Sequence, residues 1–367
     1  MRIAIFLPDL RPGGAERMRL ELARHWLKCG VLVDFVLMQA RGELLDRLPA
    51  GVRVIDLRAS RVRQALWPLR RYLRNVRPNA LLSAMWPLTV LAPLAAWLSR
   101  FHGVVALSEH EPLSRAYMGH GWLHGFLMRR SMAAGYSRAS VRIGVSAGVA
   151  DDMAELSGIP RAAFSVIHNP AATGVDDLSS RCPQLLAEVA GPVVLAVGTL
   201  KAVKRHDLLL RAFARMRLGD ACLCILGEGQ ERSRLEALVT ELGLDGRVLL
   251  PGYQADTVPW YDRADLFVLC SDHEGFGNVI VEALEQGVPV VSTDCPSGPR
   301  EILEDGKYGT LVAVGDVCAL AKAMEDALSR DHDRDALKRR AADFSVDKAA
   351  DAYLDLLLPD WRTQVSA

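Results

Sequence analysis

Two glutamates in the second half of the chain have the type and spacing to do chemistry. In the stretch SDHEGFGNVIVEALEQGVPVV, Glu274 stands before a glycine-spaced turn, and Glu282 follows eight positions later among apolar residues of a predicted buried helix. An isolated carboxylate is costly to bury, whereas one that accepts hydrogen bonds from a ribose diol is satisfied. The pair therefore predicts a site for sugar hydroxyls.

The turn between these glutamates is suited to an anion. Gly275 and Gly277 free the backbone to present amide groups, and a helix is predicted to begin near Asn278. Amide groups at the N-terminus of a helix bind anions such as phosphate.

A second loop with the same preference is GTLKAVKRHD, which follows a predicted apolar strand. Lys201, Lys204 and Arg205 come just before a helix that is predicted to begin near Asp207. Cations beside a helix N-terminus are repelled by the helix dipole unless an anion lies between them. The loop predicts a phosphate site, although it is also compatible with a solvated charge cluster.

The first glycine-rich turn, LPDLRPGGAER, has Gly13 and Gly14 at the strand-to-helix junction and Glu16 in the first helical turn. Paired glycines let another group approach the backbone amides of a helix N-terminus, but a plain tight turn fits equally well. The stretch is not a full G-x-G-x-x-G, and no acidic residue closes the expected strand, so a nicotinamide cofactor is disfavoured.

Short apolar runs alternate with helical patterns along both halves of the chain. The predicted strands are Ile3–Leu7, Val31–Met38, Val52–Ile55, Ala80–Met85, Val104–Leu107, Arg142–Val145, Val193–Val197, Cys222–Leu226, Val248–Leu250, Leu266–Leu269, Pro289–Ser292 and Thr310–Val314. This alternation predicts an α/β protein with two doubly wound parallel sheets. Ligands of such sheets bind outside the carboxyl ends of the strands.

Length and composition agree with two soluble domains, because 367 residues, half of them hydrophobic, exceed one typical core. Seven cysteines without a C-x-x-C pair indicate reduced thiols in the cytoplasm. The start, MRIAIFLPDLRPGG, is too short in its apolar part for a signal peptide.

The segment Ala80–Leu98 is a marginal membrane span broken by Pro87 and Pro93, so a buried strand and a core-facing helix that ends near Arg100 are favoured.

The zero net charge hides two oppositely charged halves. Residues 1–170 carry 23 Lys and Arg against 12 Asp and Glu, and the remainder carries 21 against 32. A basic half can indicate nucleic acid, phosphate-bearing ligands or an anionic membrane surface. Arg61–Pro78, with six arginines among apolar and aromatic residues, resembles a helix lying on an anionic surface, and residues 121–132 add a second basic, aromatic patch. Solvated helix faces are the alternative.

One family resemblance covers nearly the whole chain. The pattern E-G-F-G-N-x-x-x-E-A-L, followed by G-V-P-V-V-S-T, resembles the signature of family 4 retaining glycosyltransferases. The stretches GGAER, VSAGVADDM, VIHNP, GTLKAVKRHDLLLRAF, GEGQERSRLE and CPSGPREILEDGKYGTLV resemble family stretches in the expected order.

This resemblance implies the GT-B fold, in which two Rossmann-like domains face a central cleft. The expected parts are an acceptor-binding domain at 1–170, a linker at 171–190, a nucleotide-sugar-binding domain at 191–345, and a C-terminal helix and tail at 346–367 that return to the N-terminal domain.

The resemblance also implies roles for the donor side. Glu282 would hold the ribose hydroxyls, and Glu274 would bind a hydroxyl of the donor sugar as a catalytic residue. Lys204 matches the family's diphosphate-binding, catalytic lysine, but Thr199 stands where an arginine usually assists it. Lys201 or Arg205 could replace that arginine, and Lys201 is favoured. The other expected donor-binding residues are Gly198, Tyr253, Gly275, Phe276, Gly277 and Asn278.

On the N-terminal side, His110 in LSEHEPLSR matches a catalytic position that reaches the donor sugar or its phosphate in the family. A structural histidine at a strand end is the alternative. Gly13 and Gly14 would face the diphosphate or the acceptor.

The implied reaction moves a hexose or N-acetylhexosamine with retention, by front-face displacement in which the leaving diphosphate takes the acceptor's proton. No Asp-x-Asp cluster stands in a suitable loop, so cationic side chains would replace a metal, and no cofactor is expected.

A UDP-sugar is favoured as donor, with a GDP-sugar second. The expected acceptor is a lipid-linked saccharide, lipopolysaccharide or polysaccharide precursor, with the protein peripheral on the inner face of the cytoplasmic membrane and bound to no nucleic acid.

Two other functions fit parts of the sequence. A nucleotide-sugar epimerase of GT-B fold would need acids and bases around the sugar, where the chain offers mainly His110, Glu111 and Glu274. A noncatalytic nucleic-acid binder would explain the basic half but leaves the predicted buried glutamate without a role.

Overall fold

The computed structural model describes residues 1–11, 13–172, 174 and 182–365. It divides into two compact units, a first unit formed by the described residues of Met1–Pro170 and Val346–Ala367, and a second formed by those of Ala171–Ser345. Of the expected linker 171–190, residues 173 and 175–181 lie outside the described residues.

The described part of the first unit contains a seven-stranded parallel sheet in the order β3-β2-β1-β4-β5-β6-β7. Its strands are β1 (Arg2–Leu7), β2 (Leu32–Leu37), β3 (Arg53–Asp56), β4 (Ala80–Ala84), β5 (Val104–Glu109), β6 (Val141–Gly144) and β7 (Ser165–Val166). The strand order reverses direction between β1 and β4, which is the topological switch point of a doubly wound sheet.

Helices cover this sheet. They are α1 (Gly14–Lys28), α2 (Leu66–Val76), α3 (Leu88–Ser99), α4 (Leu113–Ala116), α5 (Trp122–Tyr136), α6 (Ala147–Ser157), α15 (Val346–Leu357) and α16 (Trp361–Val365), with 3-10 turns at Glu43–Arg47, Val62–Ala65 and Arg161–Ala163. The central strands β1, β4 and β5 read as nearly continuous apolar runs because a parallel sheet that is buried on both faces has no solvent side, whereas the edge strand β3 is largely exposed.

The second unit has, in its described residues, a six-stranded parallel sheet in the order β10-β9-β8-β11-β12-β13. Its strands are β8 (Val193–Val197), β9 (Cys222–Leu226), β10 (Val248–Gly252), β11 (Leu266–Leu269), β12 (Val290–Thr293) and β13 (Thr310–Val312). The switch point lies between β8 and β11.

Helices alternate with the strands in the second unit. They are α7 (Gln184–Ala187), α8 (His206–Phe213), α9 (Arg232–Glu241), α10 (Val258–Arg263), α11 (Asn278–Glu285), α12 (Pro299–Ile302), α13 (Val317–Leu328) and α14 (Arg334–Ala341), with 3-10 turns at Ala202–Lys204 and Ala342–Phe344. All twelve predicted strands are present with ends shifted by at most two residues, so the predicted double α/β architecture is confirmed. The sequence missed β7, because two residues carry no periodic signal.

The expected strand and helix at Ala80–Leu98 are β4 and α3. The helix ends at Ser99 with Arg100 as its C-cap, and seven of its twelve residues are buried. Within the described ranges, no helix has both the length and the apolar character needed to cross a membrane. The seven cysteines are free thiols.

The C-terminal helix α15 packs within the first unit, as predicted. The indole Nε1 of Trp26 on α1 donates a 3.1 Å hydrogen bond to the carbonyl oxygen of Ala350, and the Trp26 and Tyr353 rings meet edge to face at 6.3 Å. Leu354 and Leu357 of the same helix are buried in that core. Helix α15 therefore stabilises α1, which begins at the first glycine-rich turn.

Candidate active site

The loops after β8 and β11 meet at the switch point of the second sheet. The two strands are parallel neighbours, with Leu266 opposite Val194 and Phe267 opposite Leu195. Because both loops leave carboxyl ends of adjacent strands, the residues that follow them share the edge at which doubly wound sheets bind ligands.

Lys204 and Glu274 form an ion pair at this edge. Lys204 Nζ lies 2.6 Å from Glu274 Oε1, and the Ser271 hydroxyl donates a 2.6 Å hydrogen bond to the same oxygen. Their side chains are 22% and 11% exposed, so water screens the pair only in part. The structure thus brings together one cation and one carboxylate that the sequence predicted for the same site.

Arg205 connects the loops after β8 and β11 by ion pairs, so its charge is compensated within the protein. Its guanidinium lies 3.2 Å from Asp207 and 3.0 Å from Asp272, and the Asp272 amide donates to the Val203 carbonyl at 2.9 Å. Two carboxylates therefore compensate the charge of Arg205.

Lys201 differs from Arg205 in its surroundings. It is exposed, and its ammonium group has no hydrogen bond or ion pair within the part of the chain that the structure describes. Thr199 is exposed too, and its carbonyl accepts a 2.8 Å hydrogen bond from the Lys201 amide. The aliphatic part of Lys204 passes over Gly198, where an added Cβ would lie 3.8 Å from Lys204 Cε.

The turn that starts α11 depends on two glycines. Gly277 has a φ of 102°, in the region that favours glycine, and it is the N-cap of α11. A Cβ on Gly298 would lie 1.7 Å from the carbonyl oxygen of Phe276, so only glycine permits this approach of the neighbouring loop. The Glu274 amide also donates to the Pro296 carbonyl at 3.3 Å. The loop after β12 thereby fixes the Glu274 turn.

Glu282 lies in the second turn of α11, with Tyr261 as a partner. The Tyr261 hydroxyl donates a 3.0 Å hydrogen bond to Glu282 Oε2, and Tyr261 itself is buried. The predicted burial of Glu282 is only partial, because the residue is partly exposed while Val281 and Ala283 beside it are buried. Burial and the nearby Glu282 carboxylate raise the pKa of Tyr261 well above its usual value.

In the first unit, His110 follows β5 and contacts Arg19. His110 Nε2 lies 3.1 Å from Arg19 Nη2 and 3.3 Å from the Ser108 hydroxyl. Burial, and then the positive charge of Arg19, lower the pKa of His110 well below its usual range. The imidazole is therefore neutral at physiological pH.

The glycine turn before α1 already holds a carboxylate. A Cβ on Gly13 would lie 2.2 Å from Glu16 Oε2, so the Glu16 side chain folds back over the N-terminus of the helix. Burial raises the pKa of Glu16. A phosphate could approach the Gly13 and Gly14 amides only if Glu16 moved away, and the role of this turn toward the diphosphate or the acceptor stays a prediction.

Two protein families match the two units. "Glycosyltransferase Family 4" matches residues 12–174, and "Glycosyl transferases group 1" matches residues 183–344. The lipopolysaccharide core biosynthesis glycosyltransferase LpsE of Rhizobium meliloti (strain 1021) is 31% identical over 356 residues, which cover 95% of this chain and 96% of that protein. The chain belongs to glycosyltransferase family 4.

Solved structures share the fold of this glycosyltransferase. The apo form of the lipopolysaccharide outer core galactosyltransferase WaaB matches with a TM-score of 0.77 at 20% identity, over 98% of this chain and 100% of that one. Anabaena Alr3699/HepE in complex with UDP-glucose matches with a TM-score of 0.73 at 21% identity, over 100% and 98% of the two chains. The expected Rossmann-like domains of the GT-B fold are confirmed.

Tyr253 and Phe276, two of the expected donor-binding residues of the glycosyltransferase, differ from each other in exposure. Tyr253 follows β10, the edge strand of the sheet, and is 59% exposed. Phe276 is buried, and its ring packs edge to face against Phe344 at 5.4 Å. Phe276 could therefore contact a ligand only through its backbone.

Sequence reasoning missed several partners of these residues. Tyr261 and Ser271 touch Glu282 and Glu274 from positions without a motif, and no signal marks them. Arg19 did carry a signal, because it occupies the buried stripe of α1 together with Leu22, Ala23 and Trp26, where the helical period calls for an apolar residue.

Contact of α2 with an anionic surface stays a prediction, and most of the apolar side chains on which it rested are not on the surface. In α2, Leu69, Tyr72 and Leu73 are buried within the first unit, so its apolar side faces the core, and Trp67 alone is a large exposed hydrophobic residue of this helix. The second patch, on α5, is exposed. Its apolar side chains are Trp122 at 82%, Leu123 at 55%, Phe126 at 54% and Leu127 at 57% exposure.

Among the described residues, no group of three or more His, Cys, Asp or Glu side chains is placed to hold a metal ion. Metal independence of the transfer remains a prediction for experiment.

Proposed function

We propose that this glycosyltransferase moves a hexose or N-acetylhexosamine from a nucleotide-sugar, UDP-linked first and GDP-linked second, to a saccharide of the lipopolysaccharide core or to a lipid-linked precursor. The transfer retains the anomeric configuration, needs no metal ion, and takes place on the inner face of the cytoplasmic membrane. The observation that carries this proposal is the Lys204–Glu274 ion pair at the switch point of the second sheet.

Opening the Lys204–Glu274 ion pair frees one cation for the diphosphate and one carboxylate for the sugar of the donor. When a diphosphate binds beside the start of α11, its charge takes the place of Glu274 as the partner of Lys204. Glu274 then becomes an acceptor for a hydroxyl of the donor sugar, and it can keep the hydrogen bond from the Ser271 hydroxyl, which is 2.6 Å long without the donor. The Lys204–Glu274 ion pair is exchanged for one contact of each residue with the substrate, so neither charge is left unpaired.

Glu282 serves the ribose in this proposal. Glu282 is partly exposed, and the Tyr261 hydroxyl fixes the orientation of its carboxylate by the 3.0 Å hydrogen bond. A carboxylate held in this way can accept hydrogen bonds from the two neighbouring hydroxyls of a ribose.

In the proposed reaction, negative charge develops on the diphosphate as it leaves the sugar. The bond from the anomeric carbon to the diphosphate breaks, a bond to the acceptor oxygen forms on the same face, and a phosphate oxygen takes the acceptor's proton. Lys204 stabilises the departing diphosphate as its negative charge grows. With Thr199 in the place of an arginine and Arg205 compensated by Asp207 and Asp272, Lys201 is the second cation.

The comparisons support the substrate classes. LpsE acts in lipopolysaccharide core biosynthesis, WaaB is a galactosyltransferase of the lipopolysaccharide outer core, and the Anabaena structure holds UDP-glucose. The exposed α5 patch, with Arg129 and Arg130 exposed next to its apolar side chains, supports contact with an anionic lipid surface.

A product assay tests the proposal. The protein is incubated with a panel of UDP- and GDP-sugars, with and without truncated lipopolysaccharide core or lipid-linked saccharides, in buffer with and without EDTA. A glycosylated acceptor whose new linkage has the donor's anomeric configuration, formed equally with EDTA, supports the proposal. An epimerised nucleotide-sugar formed without acceptor indicates an epimerase, and an inverted linkage or a requirement for Mg²⁺ or Mn²⁺ refutes the corresponding part of the mechanism.

A further inference from the structure

Arg19 is a buried arginine beside His110 that has no carboxylate partner among the described residues. Arg19 on α1 is fully buried, and its Nε and Nη1 atoms have no hydrogen-bond partner in the described residues. Its guanidinium carbon lies 5.1 Å from the centre of the Tyr353 ring, and Nη2 lies 3.1 Å from His110 Nε2. Arginine is rarely buried unless it is paired, so this position calls for an explanation.

The contact between Arg19 and His110 determines where the imidazole proton resides. A guanidinium has only N–H donors and cannot accept a hydrogen bond. His110 Nε2 must therefore be the acceptor in the 3.1 Å contact. A neutral imidazole with an accepting Nε2 carries its proton on Nδ1.

A second contact reinforces this assignment. The Ser108 hydroxyl lies 3.3 Å from the same Nε2 atom and 3.2 Å from the Tyr353 hydroxyl. Tyr353 can donate to Ser108 while Ser108 donates to His110, so the three groups form a row of hydrogen bonds that all point toward Nε2. The C-terminal helix α15 thereby contributes to the protonation state of a residue at the end of β5.

This tautomer makes the Nδ1 atom of His110 a hydrogen-bond donor. It is buried and has no hydrogen-bond partner among the described residues. A buried donor left without a partner is unfavourable, and such groups need a reason, which is often a catalytic role. A substrate oxygen would satisfy the donor.

We propose that Arg19 is a positioning residue that fixes His110 as the neutral Nδ1–H tautomer, so that this N–H donates a hydrogen bond to an oxygen atom of a substrate of the transfer. The role of His110 rests on the proposed function. The tautomer itself does not, because it follows from contacts within the first unit.

Nitrogen NMR of protein labelled in its histidine rings tests the tautomer without any substrate. His110 is assigned by its loss in His110→Asn. The wild type should show a protonated Nδ1 and an unprotonated Nε2 at this residue, and Arg19→Met should move the proton toward Nε2. Arg19→Lys, which keeps a cationic donor, is the matched control and should stay closer to the wild type. A protonated Nε2 in the wild type, or the same tautomer in Arg19→Met, overturns the proposal.

Transfer kinetics with two amide variants test the use of Nδ1. The side-chain amide of His110→Asn places its nitrogen near the position of Nδ1, whereas that of His110→Gln places it near Nε2. His110→Asn should keep a kcat/KM at least about tenfold above that of His110→Gln, and Arg19→Met should lower kcat/KM about three- to tenfold, the range of one neutral hydrogen bond, without a lower Tm. The reverse order of the two amide variants overturns the proposal. If the wild type transfers no sugar at all, the proposed function fails, and the NMR result still decides the role of Arg19.

Discussion

Lys204 and Glu274, which are 70 residues apart in sequence, neutralise each other at the carboxyl edge of the second sheet, with Nζ and Oε1 2.6 Å apart. The contact connects the loop after β8 to the loop after β11. In the proposed function, a nucleotide-sugar opens this pair when it binds, and its diphosphate competes with Glu274 for Lys204.

Lys204→Ala should lower turnover by on the order of 10² to 10³, because it removes a preorganised charge from the leaving diphosphate and Thr199 offers no arginine to replace it. Lys201→Ala is the matched control and should be milder. Thr199→Arg should raise donor affinity. Steady-state kinetics with a thermal melt for each variant measure these effects. A Lys204→Ala protein that retains more than about a tenth of the activity would show that the loop is only a solvated charge cluster.

The two glutamates should affect different kinetic parameters. Glu282→Ala should weaken donor binding, because a ribose contact is present in ground and transition states alike, whereas Glu274→Ala should mainly reduce kcat. Tyr261→Phe removes the hydroxyl that orients Glu282 and should weaken donor binding about three- to tenfold, as expected for one hydrogen bond. The same change in both parameters for both glutamate variants would refute the assignment.

The architecture could be predicted because the strands other than β7 carry a local signal. The runs at Val193–Val197 and Leu266–Leu269 fix two strands, and Gly277 fixes the start of α11. That these two strands are neighbours follows from the doubly wound order, which brought Lys204 and Glu274 to one edge.

The pairings within the site could not be predicted, since they depend on side-chain positions that no motif records. The sequence favoured Lys201 over Arg205 as the second charge without naming a contact that distinguishes them, and the ion pairs of Arg205 with Asp207 and Asp272 supply that distinction. Periodicity placed α2 correctly as a helix, but it could not tell that Tyr72 turns inward, where it donates a hydrogen bond to Asp34.

A buried carboxyl beside His110 should make stability depend on pH. Glu109 accepts 2.6 Å hydrogen bonds from the Thr89 and Tyr136 hydroxyls, and burial raises its pKa to about 7. The folded state then binds a proton more tightly than the unfolded state does. This contribution to stability is full below about pH 4.5 and is lost as the pH rises through about 7, by an amount of about 3 kcal/mol.

Glu109→Gln removes this titration. Thermal or urea unfolding at pH 5 and pH 8 should show a smaller difference in unfolding free energy between the two pH values for the variant than for the wild type, because the amide binds no proton in that window. Equal differences in the two proteins would mean that Glu109 titrates near its ordinary value.

The α5 patch should bind anionic membranes. In flotation with vesicles that contain an anionic lipid, Trp122→Ala with Phe126→Ala should reduce binding, and Arg129→Glu or Arg130→Glu should weaken it by on the order of fivefold or more per arginine. Trp97→Ala, which changes an equally large exposed side chain on α3, is the control. Binding that is unchanged in the α5 variants but lost in Trp97→Ala would place the membrane contact elsewhere.

Calorimetric titration of UDP and GDP into the wild type, Lys204→Ala and Glu282→Ala tests the central claim most directly, because it measures nucleotide binding at the switch point without any knowledge of the sugar or the acceptor. We expect one of the two nucleotides to bind the wild type, and each variant to bind it at least about tenfold more weakly, a loss of about 1.4 kcal/mol. Wild-type affinity in both variants, or no binding of either nucleotide to the wild type, would contradict the proposed nucleotide-sugar site.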